Sequence, residues 1–89
     1  MKERYLEVTF RKGKALAAYL YLPREAGTRS VRTREFSPGI HVDYAVSGNP
    51  IGIEITSPSR VTAKAVNLVL GELGLPPLAP GELAPLKAA

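Results

Sequence analysis

The sequence predicts a small α+β domain: an antiparallel β-meander of four to five strands with one C-terminal helix packed on one face. Three observations predict it. Residues 40–56 contain two alternating apolar and polar runs around Ser47-Gly48-Asn49-Pro50, which is a hairpin pattern. Shorter alternating runs precede them without an intervening helical period, so strand follows strand. After Ser57-Pro58-Ser59 the apolar spacing changes from that of a strand to that of a helix. The 89 residues allow one domain, placed at residues 1–74, and a proline-rich tail over residues 75–89.

The elements follow in order. Leu6, Val8 and Phe10 alternate with Tyr5, Glu7 and Thr9, as in a half-buried strand, and Arg11-Lys12-Gly13-Lys14 makes a short charged turn. Residues 15–22 are apolar in both registers, with Leu16, Ala18, Leu20 and Leu22 on one side and Ala15, Ala17, Tyr19 and Tyr21 on the other. Alanine and leucine would also suit a helix. Two tyrosines, a length of eight and a stop at Pro23 favour a central strand with both faces at least partly covered. Residues 29–36 are rich in Arg and Thr, which suits an edge strand, and Ser37-Pro38-Gly39 turns the chain.

Ile40, Val42, Tyr44 and Val46 then alternate, as do Ile51, Ile53 and Ile55. With the turn at 47–50, Val46 should pair near Ile51, Asp43 near Glu54 and His41 near Thr56. Ser57 can cap a helix and Pro58 suits its first turn. Val61, Ala65, Leu68, Val69 and Leu73 form the expected buried stripe, and Lys64, Asn67 and Glu72 should face water. Gly74 is placed to end the helix. Pro76, Pro77, Pro80 and Pro85 predict an extended tail, ordered where Leu75 and Leu78 dock and frayed beyond; the alternative is an arm that crosses to a second subunit.

Composition narrows function. There is no cysteine, so disulfides, thiolate zinc sites and cysteine nucleophiles are excluded. The charged start Met-Lys-Glu-Arg-Tyr-Leu-Glu argues against a signal peptide, and no apolar run approaches a membrane span, so a cytoplasmic protein without membrane partners is expected. The net charge of +4 is uneven: Arg24, Arg29, Arg32 and Arg34 cluster. Such a cluster either keeps an edge strand from aggregating or meets phosphates or an acidic partner.

Leu16 to Leu20, Gly39-Ile40-His41-Val42-Asp43-Tyr44, Gly48, and Pro50-Ile51-Gly52-Ile53-Glu54-Ile55 followed by Ser57 to Ser59 together resemble the small bacterial DUF2283 family. The resemblance covers about residues 4 to 60 and is carried most by Gly52-Ile53-Glu54-Ile55 with Asp43 upstream. Arg11-Lys12-Gly13-Lys14 stands where the family carries acidic residues, and Ala45 where it carries another. The family has no settled biochemical function. Its members are sometimes paired with toxin-like proteins, so the resemblance implies an antitoxin-like partner protein.

Two surfaces hold the candidate site residues. His41, Asp43 and Glu54 share the polar side of the last hairpin, a set suited to a metal or to acid–base work, or simply to a solvated sheet face. Tyr19 and Tyr21, with Arg29, Arg32 and Arg34, offer rings and cations for single-stranded nucleic acid, or tyrosines for a dimer interface. No nucleophile motif, second histidine or phosphate-binding glycine loop occurs. The sequence thus points to a non-enzymatic interaction module, expected to be a homodimer with a possible protein partner and to need no cofactor or metal. Nucleic-acid binding stands second and a metal-assisted enzyme third.

Overall fold

Lys12 and Gly13 both take positive φ, 53° and 78°. This is the two-residue turn that the right-handed twist of paired strands favours. It joins β1 (Tyr5–Arg11) to β2 (Lys14–Tyr21). The computed structural model describes residues 3–87 and continues with β3 (Arg32–Ser37), β4 (Ile40–Tyr44), β5 (Pro50–Ile55), a 3-10 turn at Pro58–Arg60, α1 (Ala63–Glu72) and α2 (Pro80–Lys87). All strand pairs are antiparallel, in the order β1-β2-β5-β4-β3. The first hairpin and the β3-β4-β5 meander therefore meet through β2 and β5.

That junction places the most aliphatic strands at the centre. Leu20 and Ala18 of β2, Ile53 and Ile55 of β5, and Ile40 and Val42 of β4 face Val66, Val69 and Leu70 of α1 in one core. Each such side chain removed from water contributes about 1.5–3 kcal/mol relative to exposure. The isoleucine row is roofed by α1, as its alternation predicts, and residues 14–21 are extended.

The buried stripe of α1 differs from expectation. Val66, Val69 and Leu70 are buried, whereas Leu68 is 64 % exposed. Leu68, Val69 and Leu70 are consecutive apolar residues, so spacing alone leaves the phase of the helix open. The ends fix it. Ser57 and Pro58 open the 3-10 turn instead, and Thr62 caps α1 by accepting a hydrogen bond from Ala65 N at 3.1 Å. Gly74, with φ 74°, closes it: Leu75 N donates to Leu70 O and Gly74 N to Gly71 O, a Schellman motif.

Residues 75–79 have no regular secondary structure and are docked. Leu78 is buried in the core, and its N–H donates to Asn67 Oδ1 at 2.8 Å, so Asn67 is a tether rather than a solvated residue. Residues 80–87 depart from the expected frayed tail and form α2. Pro80 occupies the first helical position, where a missing N–H costs nothing, and Glu82 reaches back to Ala79 N at 2.9 Å. Arg4, preceding β1, clamps α2 through Glu82 (2.7 and 3.1 Å) and the carbonyls of Pro76 and Pro77. That contact holds the Glu82 carboxyl below its ordinary range.

Candidate functional site

The side of the sheet opposite α1 carries the polar and aromatic register. Paired residues of an antiparallel sheet share a face. Tyr5 lies opposite Tyr21, Glu7 opposite Tyr19, Tyr19 opposite Glu54, Asp43 opposite Gly52 and Thr33 opposite Asp43. All of them therefore lie on this second face.

The register of the last hairpin is displaced by two residues from the expected one. His41 pairs with Glu54 and Asp43 with Gly52, not Asp43 with Glu54 or His41 with Thr56. The turn begins earlier than Ser47: Gly48 N donates to Ala45 O and Ala45 N to Asn49 O, both at 2.9 Å. Val46 is thereby in the turn, 89 % exposed, and not paired with Ile51. Pro50 has no N–H to give the ladder, and the register is irregular between Asp43 and Tyr44 beside it.

Gly52 opens the centre of this face. A Cβ placed there would lie 1.9 Å from the Tyr19 hydroxyl, so the Tyr19 ring crosses β5 directly over Gly52. The hydroxyl then reaches β4 and donates to Asp43 Oδ2 at 2.7 Å. Thr33 Oγ1 donates to Asp43 Oδ1 from the other side. Asp43 is thus on the outward face yet only 9 % exposed, with both carboxylate oxygens engaged. Burial, and after it the Asp43 carboxylate, push the Tyr19 hydroxyl well above the ordinary tyrosine range. It remains a proton donor at neutral pH.

The other rings align with Tyr19. Tyr5 stacks on Tyr21 with centroids 4.5 Å apart, and Tyr21 meets Tyr19 edge-on at 4.7 Å. The Tyr21 hydroxyl donates to Glu7 Oε1 at 3.2 Å, and the Arg24 guanidinium lies 5.6 Å from the Tyr21 ring centroid. Burial and Glu7 raise the Tyr21 pKa as well. A continuous aromatic row therefore runs from β1 to a buried carboxylate on β4.

His41 and Glu54 are cross-strand partners, but Asp43 is engaged elsewhere. The Asp43 oxygens belong to Tyr19 and Thr33, while His41 Nε2 faces Glu35 Oε2 at 3.6 Å and its buried Nδ1 has no hydrogen-bond partner among the described residues. Glu54 is exposed. Among the described residues no group of three or more His, Asp or Glu side chains is arranged to hold a metal ion.

Arg32 and Arg34 do not join Tyr19 and Tyr21 either. Arg32 pairs with Tyr44 and Arg34 with Val42, so both lie on the α1 side, opposite Tyr19 and Tyr21. Their guanidiniums cover the rings of Tyr44 and Phe36, each 4.9 Å from the centroid. Arg29 lies exposed in the loop before β3. The ring-bearing face carries Glu7, Glu35, Asp43 and Glu54, which disfavours a polyanion there.

Residues 17–58 match the family model described as a protein of unknown function, DUF2283. The match spans β2 to the 3-10 turn and so includes Tyr19, Asp43 and Gly52, while β1, α1 and α2 lie outside it. The searches of curated proteins and of solved structures each find no match. No helix among the described residues is long and apolar enough to cross a membrane.

Sequence reasoning missed Thr33 and the spatial role of Gly52. A glycine between isoleucines of a central strand is itself a signal that another group approaches closely. It also missed α2, whose local cue was proline at the first position of a helix and glutamate at the third, and with it the Arg4–Glu82 clamp.

Proposed function

We propose that this chain is a small, non-enzymatic, cytoplasmic protein-interaction module that forms a homodimer through the aromatic half of its open sheet face. One observation carries the reading: the Tyr5–Tyr21–Tyr19 row is held in place by Asp43 and Gly52 on a face that α1 does not cover. Tyrosines are favoured at interface centres because they offer a large apolar body and a polar tip. Rings already fixed by stacking lose little freedom on docking. Glu7 and Arg24 border the row and supply charges of both signs at its rim. The engagement of both Asp43 oxygens by two hydroxyls supports a structural role for this carboxylate over catalysis. Covering another protein in the manner of an antitoxin is a further use that such a face suits.

Sedimentation equilibrium tests this. The wild-type chain is expected to be a dimer at micromolar concentration, and Tyr5→Ala/Tyr21→Ala a monomer with an unchanged circular-dichroism spectrum. A wild-type chain that stays monomeric at millimolar concentration overturns the homodimer.

A further inference from the structure

β3 ends the sheet order, so one side of it bears unpaired backbone N–H and C=O groups. Its residues from Arg32 to Glu35 are all exposed. Arg32 and Arg34 project from it to one side, a strand repeat apart, each with its guanidinium over a ring at 4.9 Å. Among the described residues neither forms an ion pair. At the start of the strand, Val31 and Val46 are both strongly exposed and line a shallow depression with Arg32, Ala45 and Gly48.

We propose that β3 is a docking edge for an extended acidic segment of another protein, which adds to the sheet as a sixth strand. Its carboxylates occupy alternate positions and meet Arg32 and Arg34. The residue between them lies opposite Thr33 on the other side, diagonal to Glu35, and is basic or polar. An aliphatic residue at one end sits against Val31 and Val46. Backbone pairing supplies a sequence-independent part of the affinity, and the two planar guanidiniums select carboxylates at strand spacing.

Charge decides against a second copy. Two β3 strands paired antiparallel would set Arg32 and Arg34 against Arg32 and Arg34, and like charges across a strand pair are destabilising. Geometry decides against nucleic acid: Tyr44 is buried, and the guanidiniums cover the faces of Tyr44 and Phe36 on which bases would stack. The proposal is independent of the tyrosine face, which lies on the other side of the sheet.

The test is amide hydrogen exchange on the full chain with three probes. The first is an eight-residue peptide with a terminal valine, two glutamates at alternate positions and a lysine between them. The second has the same composition with the glutamates adjacent, and the third is an oligouridylate. The first peptide is expected to slow exchange of β3 amides at least fivefold and to leave Tyr5 and Tyr21 unchanged. Arg32→Gln/Arg34→Gln is expected to weaken its binding at least tenfold. Three results would overturn the proposal: no protection of β3 at millimolar peptide, equal protection by the adjacent-glutamate peptide, or preferential protection by the oligouridylate.

Discussion

The two faces of the sheet are ordered by different forces. The α1 side is a row of branched aliphatics, with Leu20, Val42, Ile53 and Ile55 closed from water by Val66 and Leu70. Its order is that of close packing. The other side is held by a few directional contacts: one carboxylate, two hydroxyls, one glycine and a stack of rings. The first face sets whether the chain folds. The second sets what shape it presents once folded, and substitutions should separate the two.

The largest effect is expected on the aliphatic face. Ile53→Ala removes a fully buried side chain at the centre of the core and should cost about 2–5 kcal/mol in urea unfolding. A cost as small as that of an exposed residue would mean that α1 does not roof the isoleucine row.

A smaller loss is expected at Asp43. Asp43→Ala leaves the hydroxyls of Tyr19 and Thr33 without their acceptor and should cost about 1–3 kcal/mol. Gly52→Ala drives a methyl group into the Tyr19 ring and breaks the same bond by another route. The two substitutions should therefore be strongly sub-additive in a double-mutant cycle. Additive losses would show that Gly52 and Asp43 do not act through Tyr19.

The smallest effect is one of pH. Tyrosine in an unfolded chain ionises near pH ~10, whereas burial and Asp43 raise Tyr19 above that in the folded chain. The stability carried by this hydroxyl is whole below the unfolded value and is lost as pH rises beyond it, because the unfolded state releases its proton first. Melting temperatures of wild type and Tyr19→Phe should differ at pH 8 and converge above pH 10. A constant difference would contradict the placement of Tyr19.

The same contrast explains what the sequence made legible. Period-two alternation assigned the side chains of residues 40–44 and 51–55 to their correct faces but not Val46, which lies in the turn; the displaced register did not disturb the strands, since a shift of two residues returns every side chain to the same side. What the shift changed was who meets whom. Asp43 found Gly52 instead of Glu54, because the turn starts at Ala45 and Pro50 cannot continue the ladder. Arg32 and Arg34 were placed beside Tyr19 and Tyr21 for want of topology: only the insertion of β5 and β4 between β2 and β3 assigns them to opposite faces. The phase of α1 was hidden by three apolar residues in a row, and α2 by reading Pro80 as a breaker rather than a start. Contacts such as Arg4 with Glu82, at opposite ends of the chain, have no local signature of pairing at all.

The central claim is that the ring-bearing face meets its own copy. A mixed sample of isotope-labelled and unlabelled chains, read by isotope-filtered nuclear Overhauser spectroscopy, tests it most directly. Cross-peaks between the Tyr5 and Tyr21 rings of one copy and the β1–β2 face of the other are predicted. A dimer whose intermolecular cross-peaks arise from Leu68 and its helix, with none from the tyrosines, would contradict the account.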